Sequence, residues 1–475
     1  MKKWVARVLP YAAVLALSAC NLAPPYQRPS TPEPPAFKEA PAPDSTWFPA
    51  APADELDRGA WWTLFGDPVL TGLAEQVDVS NQNVAAAVAS YAQAEALVRQ
   101  QRAALFPSLA LNAQATHTGG RGSSSARTND YQLNAGASWE PDIWGKLRLA
   151  VTSAQAGAQA SAADLAAAKL SAQAALATDY FALREADNEI KLLTAAVDAY
   201  SKSLRITQNQ YDVGIAQRTD VLQAQTQLET TQANLVSMVG QRARLEHAIA
   251  LLIGKAPAEF TLAAGDWNAT VPAVPLVVPS ALLQRRPDIA AAERAVAEAN
   301  AQIGIQRAAY FPNIGLSAAV GSGASTLPAL FNASNSVWSL GLTLAQTLFD
   351  AGATKARVEG AVAGRDVAIA NYRQAVLTAF QTVEDDLSNI RTLAEQEGSR
   401  RAASADADRT EQLTQNQYLQ GQIPYTTVVT AQVTALNARQ ALSQLMSSRQ
   451  AAAIALIQSM GGGWQAPEPI ASGGL

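Results

Sequence analysis

A chain of 475 residues with a formal net charge of −5 carries no basic footprint for nucleic acid. Only 16% of its residues are charged, which is low for a surface that meets water on every side. Even so, beyond the N-terminus no apolar run of about 18 residues offers a transmembrane helix.

Residues 1–19 read as a secretory signal peptide. Lys2, Lys3 and Arg7 make a basic start, Val8 to Leu17 are a short apolar run, and Leu17-Ser18-Ala19-Cys20 ends it. Cys20 is the sole cysteine and sits at the cleavage point of what resembles a bacterial lipobox, so it is expected to carry lipid. Asn21, where Asp would favour inner-membrane retention, leaves the outer membrane open. Residues 20–60 are proline-rich and aperiodic, as an extended, lipidated tether would be.

The remainder is written twice. QRAALFPSLAL at 101–111 returns as QRAAYFPNIGL at 306–316, and TQNQYDVG at 207–214 returns as TQNQYLQG at 414–421. The repeats are placed at 61–265 and 266–464, with a tail over 465–475. In the first, a helical pattern over 81–104 stops at Phe106-Pro107. The period then falls to two. Leu109, Leu111, Ala113 and Ala115 alternate with polar or small residues, a Gly/Ser-rich loop follows, and Tyr131, Leu133, Ala135, Ala137 and Trp139 alternate in turn. That predicts a hairpin over about 108–140. A helix over 285–309 and a second hairpin over about 313–346 repeat the arrangement.

Strands of about ten residues, greasy on one face, suit a tilted crossing of an outer membrane. The face holding Leu109, Leu133, Leu316 and Leu342 is expected to meet lipid. Tyr131, Trp139 and Trp338 are expected as an interfacial girdle. Four isolated strands make a poor soluble sandwich.

After each hairpin a proline-free stretch, 147–212 and 353–419, predicts a helix of ~100 Å. Shorter helices follow over 218–254 and 425–460. Their faces are rich in Ala, Ser, Gly, Gln and Thr, which lets helices approach closely on both flanks and line water. This suggests a cylinder wall in which some staves are single helices and others are two short ones joined. Four strands cannot close a barrel, so the chain must oligomerise. Two chains give eight strands and a filled interior; three give twelve and a usable pore.

Other chemistry finds no foothold. His117 and His247 have no ligand-spaced partners, Glu384-Asp385-Asp386 read as a solvated helix face, and Gly461-Gly462-Gly463 read as a helix stop without the Lys-Ser/Thr of a phosphate loop. No cofactor, metal or enzymatic activity is expected.

PYQRP at 25–29, WWTLFGDPVLTGL at 61–73, LFPSL at 105–109, WEPDIWGKLR at 139–148, LLQRRPDI at 282–289, ANAQIGIQRAAYFPNIGL at 299–316, LFDAG at 348–352 and MGGGW at 460–464 together resemble the TolC-like outer-membrane factors, in their lipidated, OprM-like branch. The resemblance implies an α+β membrane protein. It would be a trimeric, twelve-stranded transmembrane β-barrel, four strands per chain, continuous with a long periplasmic α-helical barrel and a mixed belt. It also implies a passive exit duct for small amphipathic compounds, joined by a periplasmic adaptor to a proton-driven inner-membrane transporter. A duct for an ATP-driven protein exporter is the alternative.

The same resemblance places the closed inner end at two tips, about 211–220 and 418–427. Tyr211, Arg218, Asp220, Tyr418, Thr427 and Thr430 are its aperture candidates; Gly214, Ile215, Ala216, Gly421, Gln422 and Ile423 would meet the adaptor. Asp220 matches an acidic tip position of the family. Thr427 and Thr430 stand where pore-facing aspartates would be, and Ile423 where an arginine would be, so the family's acidic ring and Asp–Arg link do not carry over. Asp220 is expected either to latch the aperture, with Arg218 of a neighbouring chain, or to cap the helix that starts there.

Overall fold

Helix-forming residues uninterrupted by proline give this chain two helices of equal length, and two shorter ones, also equal. A computed structural model describes residues 22–31, 34–39, 59–119, 128–272 and 285–462. The signal peptide, Cys20, most of the 20–60 tether and the 465–475 tail lie outside them. In chain order come α1 (Pro68–Ser80), α2 (Gln82–Ala103), β1 (Ser108–Thr118), β2 (Thr128–Trp139), α3 (Lys146–Asp212), α4 (Arg218–Leu252), α5 (Pro287–Arg307), β3 (Asn313–Ala324), β4 (Ser336–Ala345), α6 (Ala353–Leu419) and α7 (Tyr425–Ser459). α3 and α6 each have 67 residues, and α4 and α7 each have 35. The described residues fall in two compact units, one drawn from 1–31, 89–162 and 291–375, the other from 32–88, 163–290 and 376–475.

The first unit holds the strands. They form one antiparallel sheet in the order β1-β2-β3-β4, so the two hairpins join along β2 and β3. β1 and β4 are left as edges. Small residues bring the flanking helices together: Val98 of α2 is buried against Ala154 and Ala158 of α3. Gly304 of α5 lies so close to the backbone of Ala23 and the side chain of Leu149 that a Cβ would clash. Residues 22–31 have no helix or strand and run as a strap. Leu22 and Pro24 accept from Arg307 (3.2 Å) and Asn300 (2.8 Å), Tyr26 donates to Glu293, Arg28 donates to Tyr372 (2.9 Å), and Ser30 accepts from Arg373 (3.2 Å).

The second unit holds the largest core. The tryptophan-rich motif builds it locally. Trp61–Phe65 make a 3-10 turn that ends at Gly66 in the left-handed conformation (φ 64°). Asp67 then caps α1 by accepting the N–H groups of Val69 (2.8 Å) and Leu70 (3.1 Å), with Pro68 at the first helical position. Trp61, Phe65, Leu70 and Val77 pack on Leu176, Tyr180 and Leu183 of α3, Ile249 of α4 and Ile454 of α7.

This unit also joins the short helices. Buried Asn81 accepts the N–H groups of Asn83 (2.9 Å) and Val84 (3.1 Å), capping α2, and donates to Leu252 O (2.7 Å) at the end of α4. In the second repeat Arg286, ahead of α5, donates to Ser459 O (2.9 Å) at the end of α7. At both joins a left-handed glycine, Gly254 or Gly461, lies against the facing carbonyl of Ser80 or Arg285, where a side chain has no room.

Glu384, read as part of a solvated face, instead holds the chain at its N-terminal end. It accepts the backbone N–H groups of Lys38 (2.7 Å) and Glu39 (3.0 Å), while Phe37 packs edge-on to Phe380.

Candidate functional site

The register sorts the sheet into two chemistries. Leu109 faces Ala137, Ala113 faces Leu133, Leu316 faces Leu342 and Val320 faces Trp338, so apolar residues from all four strands share one face. That face is open, with Leu109 at 83% and Leu342 at 71% exposure. The opposite face carries Ser108, Asn112, Gln114, Gln132, Asn134, Ser317 and Ser339 among small residues. A greasy face backed by a polar one is the pattern of a strand set between lipid and water. β2 begins at Thr128, so Tyr131 stands inside the strand rather than at its end. Trp139 does end it, donating to Leu105 O (2.9 Å), and nearby Trp144 stacks on Phe311 at 4.8 Å.

The tips are two copies of one turn. Gly214 (φ 77°) donates to Tyr211 O (2.9 Å) and Ile215 to Gln210 O (2.8 Å). Gly421 (φ 73°) donates to Tyr418 O (2.9 Å) and Gln422 to Gln417 O (3.0 Å). Gly214, Ile215, Gly421 and Gln422 are exposed, while Ala216 and Ile423 are half-buried. Asp220 Oδ2 accepts the N–H of Gln217 (3.1 Å) in a capping box that starts α4, so the carboxylate has a capping role within the chain. Arg218 lies over the ring of Tyr211 at 5.7 Å rather than beside Asp220 of its own chain.

Tyr418, an aperture candidate by sequence, is buried in the chain, its ring 5.2 Å from that of Tyr425 and packed with Ala224 and Val428. Its hydroxyl meets Gln210 and, at 3.5 Å, Thr207. Burial pushes the Tyr418 hydroxyl up, and the Asp220 charge acts in the same direction. Burial pushes Tyr425 up to about 12. Thr427 and Thr430 remain exposed.

Sequence reading missed a buried charge network. Asp187 of α3 pairs with Arg184 (3.0 Å) and with Arg242 of α4 (2.6 Å), its side chain 1% exposed, and it accepts the N–H of Gly265 (3.2 Å). Arg184 also donates to Ala263 O (2.9 Å) and Arg242 to Leu262 O (2.6 Å); Glu246 accepts from Leu262 N (2.7 Å). Together they stitch the irregular segment after α4 onto two helices. The available signal was the charged run READNE at 184–189 inside an alanine-rich helix. Two further members of that run, Glu185 and Glu189, face Ser443 and Gln440 of α7, and burial pushes both carboxyls up.

Comparison with known proteins covers nearly the whole chain. Residues 73–255 and 278–462 match the model of the family described as outer membrane efflux protein. The cation efflux system protein CusC of Escherichia coli O6:H1 is 29% identical over 97% of this chain and 99% of its own. The pyoverdine export outer membrane protein OpmQ of Pseudomonas aeruginosa is 30% identical over 96% of both. Among solved structures, the outer-membrane channel OprN superposes with a TM-score of 0.83 at 30% identity, covering 94% of this chain and all of that one. The open state of the Neisseria gonorrhoeae MtrE outer membrane channel gives 0.80 at 26% identity over 94% and 98%.

Proposed function

From the premise that the chain belongs to the outer membrane efflux protein family, we propose that it is the outer-membrane exit duct of a tripartite pump for small amphipathic compounds. The observation that carries this reading is the sheet of four strands, apolar on one face and polar on the other, with both edges unpaired among the described residues. In lipid an unpaired edge is untenable, so chains must join edge to edge. Three chains give the twelve strands that leave a wet pore. The duct is passive. A periplasmic adaptor and a proton-driven inner-membrane transporter complete the pump. Cys20 carries the lipid anchor and residues 20–60 tether it; the repeats occupy 61–265 and 266–464. An unmodified mature N-terminus in mass spectrometry would remove the anchor.

Names of relatives such as the solvent efflux protein SrpC, CusC and OpmQ describe efflux or export of small cargo, and this favours efflux over protein secretion. Deleting the gene should lower the inhibitory concentration of amphipathic toxicants several-fold, with recovery on complementation. Unchanged susceptibility in a strain without redundant ducts, alongside failed secretion of a large protein, would favour the exporter reading.

The inner aperture is formed by the tips, with Tyr211, Arg218, Asp220, Thr427 and Thr430 at the constriction, Tyr418 supporting it from within, and Gly214–Ala216 and Gly421–Ile423 meeting the adaptor. Asp220 separates two roles. As a latch, Asp220→Ala and Asp220→Asn both raise the resting conductance of the purified channel. As the N3 member of the capping box, worth ~1 kcal/mol, Asp220→Asn keeps an acceptor for Gln217 N–H and conducts like the parent. Low conductance in both variants would take Asp220 out of gating.

A further inference from the structure

The two tips share a sequence and a turn, yet a single chain fills only one of the two grooves they make. In the first tip Ser203 and Thr207 of α3 and Ala224 of α4 are buried. Tyr418 and Tyr425 of the second tip occupy that place: Tyr418 packs with Ala224 and its hydroxyl meets Thr207 at 3.5 Å, and buried Tyr425 packs in the same cluster. In the repeat, Ser203 is answered by Thr410, Thr207 by Thr414, Ala224 by Ala431 and Asp220 by Thr427. These four residues line an open groove between α6 and α7.

The matching side chains on the first tip stand free. Tyr211 answers Tyr418 and is 39% exposed; Arg218 answers Tyr425 and is exposed. They hold each other as their counterparts do, Arg218 over the Tyr211 ring at 5.7 Å against 5.2 Å between the two tyrosine rings. The differences are complementary. Where the filled groove has Tyr200 and receives Tyr425, the open one has Ala407 and would receive the longer Arg218. Asp406, one helical turn from Thr410 on the same face of α6, is exposed. Neither Asp406 nor Arg218 has an ion pair among the described residues.

We propose that the groove between α6 and α7 receives Tyr211 and Arg218 of a second copy of this chain, with Arg218 paired to Asp406. The contact made within one chain is thereby repeated between chains, as a head-to-tail contact that closes into a ring. The inference rests on the reading of the chain as an oligomeric duct.

Full-length protein carrying Arg218→Cys and Thr410→Cys, treated in native membranes with a short bis-maleimide that replaces the reach of the lost arginine side chain, tests it. Most of the chain should run at two and three times its own mass on a non-reducing gel, and neither single variant should do so. A detergent-solubilised particle of oligomeric mass without those bands overturns the proposal and leaves the duct reading standing. A monomeric particle overturns both. Should the cysteines disturb the tip, a charge exchange gives a second test, read by the same reagent on a Tyr211→Cys/Thr414→Cys pair. Arg218→Asp alone and Asp406→Arg alone should each cut its cross-linking at least fivefold, and the two together should restore it. Equal yields in all backgrounds overturn the Arg218–Asp406 pairing.

Discussion

Asp187→Ala should cost about 3–5 kcal/mol, the penalty for removing one partner of a buried ion pair and leaving cations behind. Two guanidiniums, of Arg184 and Arg242, converge on this carboxylate, and the N–H of Gly265 completes it. Without it the two cations repel each other in a poorly hydrated space, and the carbonyls of Leu262 and Ala263 lose well-oriented donors. The damage should be local first. Phe260, Leu262 and Trp267, packed against the large core, should become cleavable by chymotrypsin in folded, membrane-inserted protein. Thermal unfolding followed by circular dichroism should begin at lower temperature. An unchanged digestion pattern and midpoint would mean that the network contributes nothing to holding this segment.

The second large effect belongs to the sheet. Leu342→Arg should destabilise the membrane-inserted state by about 2–4 kcal/mol, because it puts a guanidinium in lipid near mid-strand. Ser339→Arg, on the opposite face, should cost much less, since its charge would meet water. Register makes the comparison sharp: Leu342 pairs with Leu316 and Ser339 with Ala319. Urea titration of protein refolded into bilayers, read by heat-modifiable mobility, compares the two. Equal tolerance would reverse the assigned faces.

Much of this architecture was legible in the residues. The long helices end where Gly214 and Gly421 turn the chain, and the strand faces follow a period of two that lipid and water enforce separately. The strand ends were less legible. Thr128 to Asp130 belong to β2 because they pair with Thr116 to Thr118, and polar pairs carry no hydropathic signal. No helix is predicted above for 68–80, although Asp67-Pro68 is a sound helix start. The joins through Asn81 and Arg286, the strap along α5 and α6, and the Arg184–Asp187–Arg242 network depend on residues far apart in sequence, whose meeting no local pattern announces. At the tips, which candidate side chain is packed inside the chain and which faces outward was not legible. The repeat gives Tyr211 and Tyr418 the same sequence context, and only the packed chain distinguishes the buried one from the exposed one.

The equality of α3 with α6, and of α4 with α7, makes tunnel length a shared quantity. Deleting a single residue from α3 alone would draw its tip back by ~1.5 Å and turn every later side chain by ~100°. Tyr418 and Tyr425 would then face the wrong residues of the first tip. Lengthening is constrained in the same way. Insertions of three or four residues nearly restore the facing, but they leave one repeat longer than the other unless both change. A viable longer or shorter duct therefore has to arise by matched steps in both halves of the gene, and members of this family should differ in reach by whole turns rather than by residues.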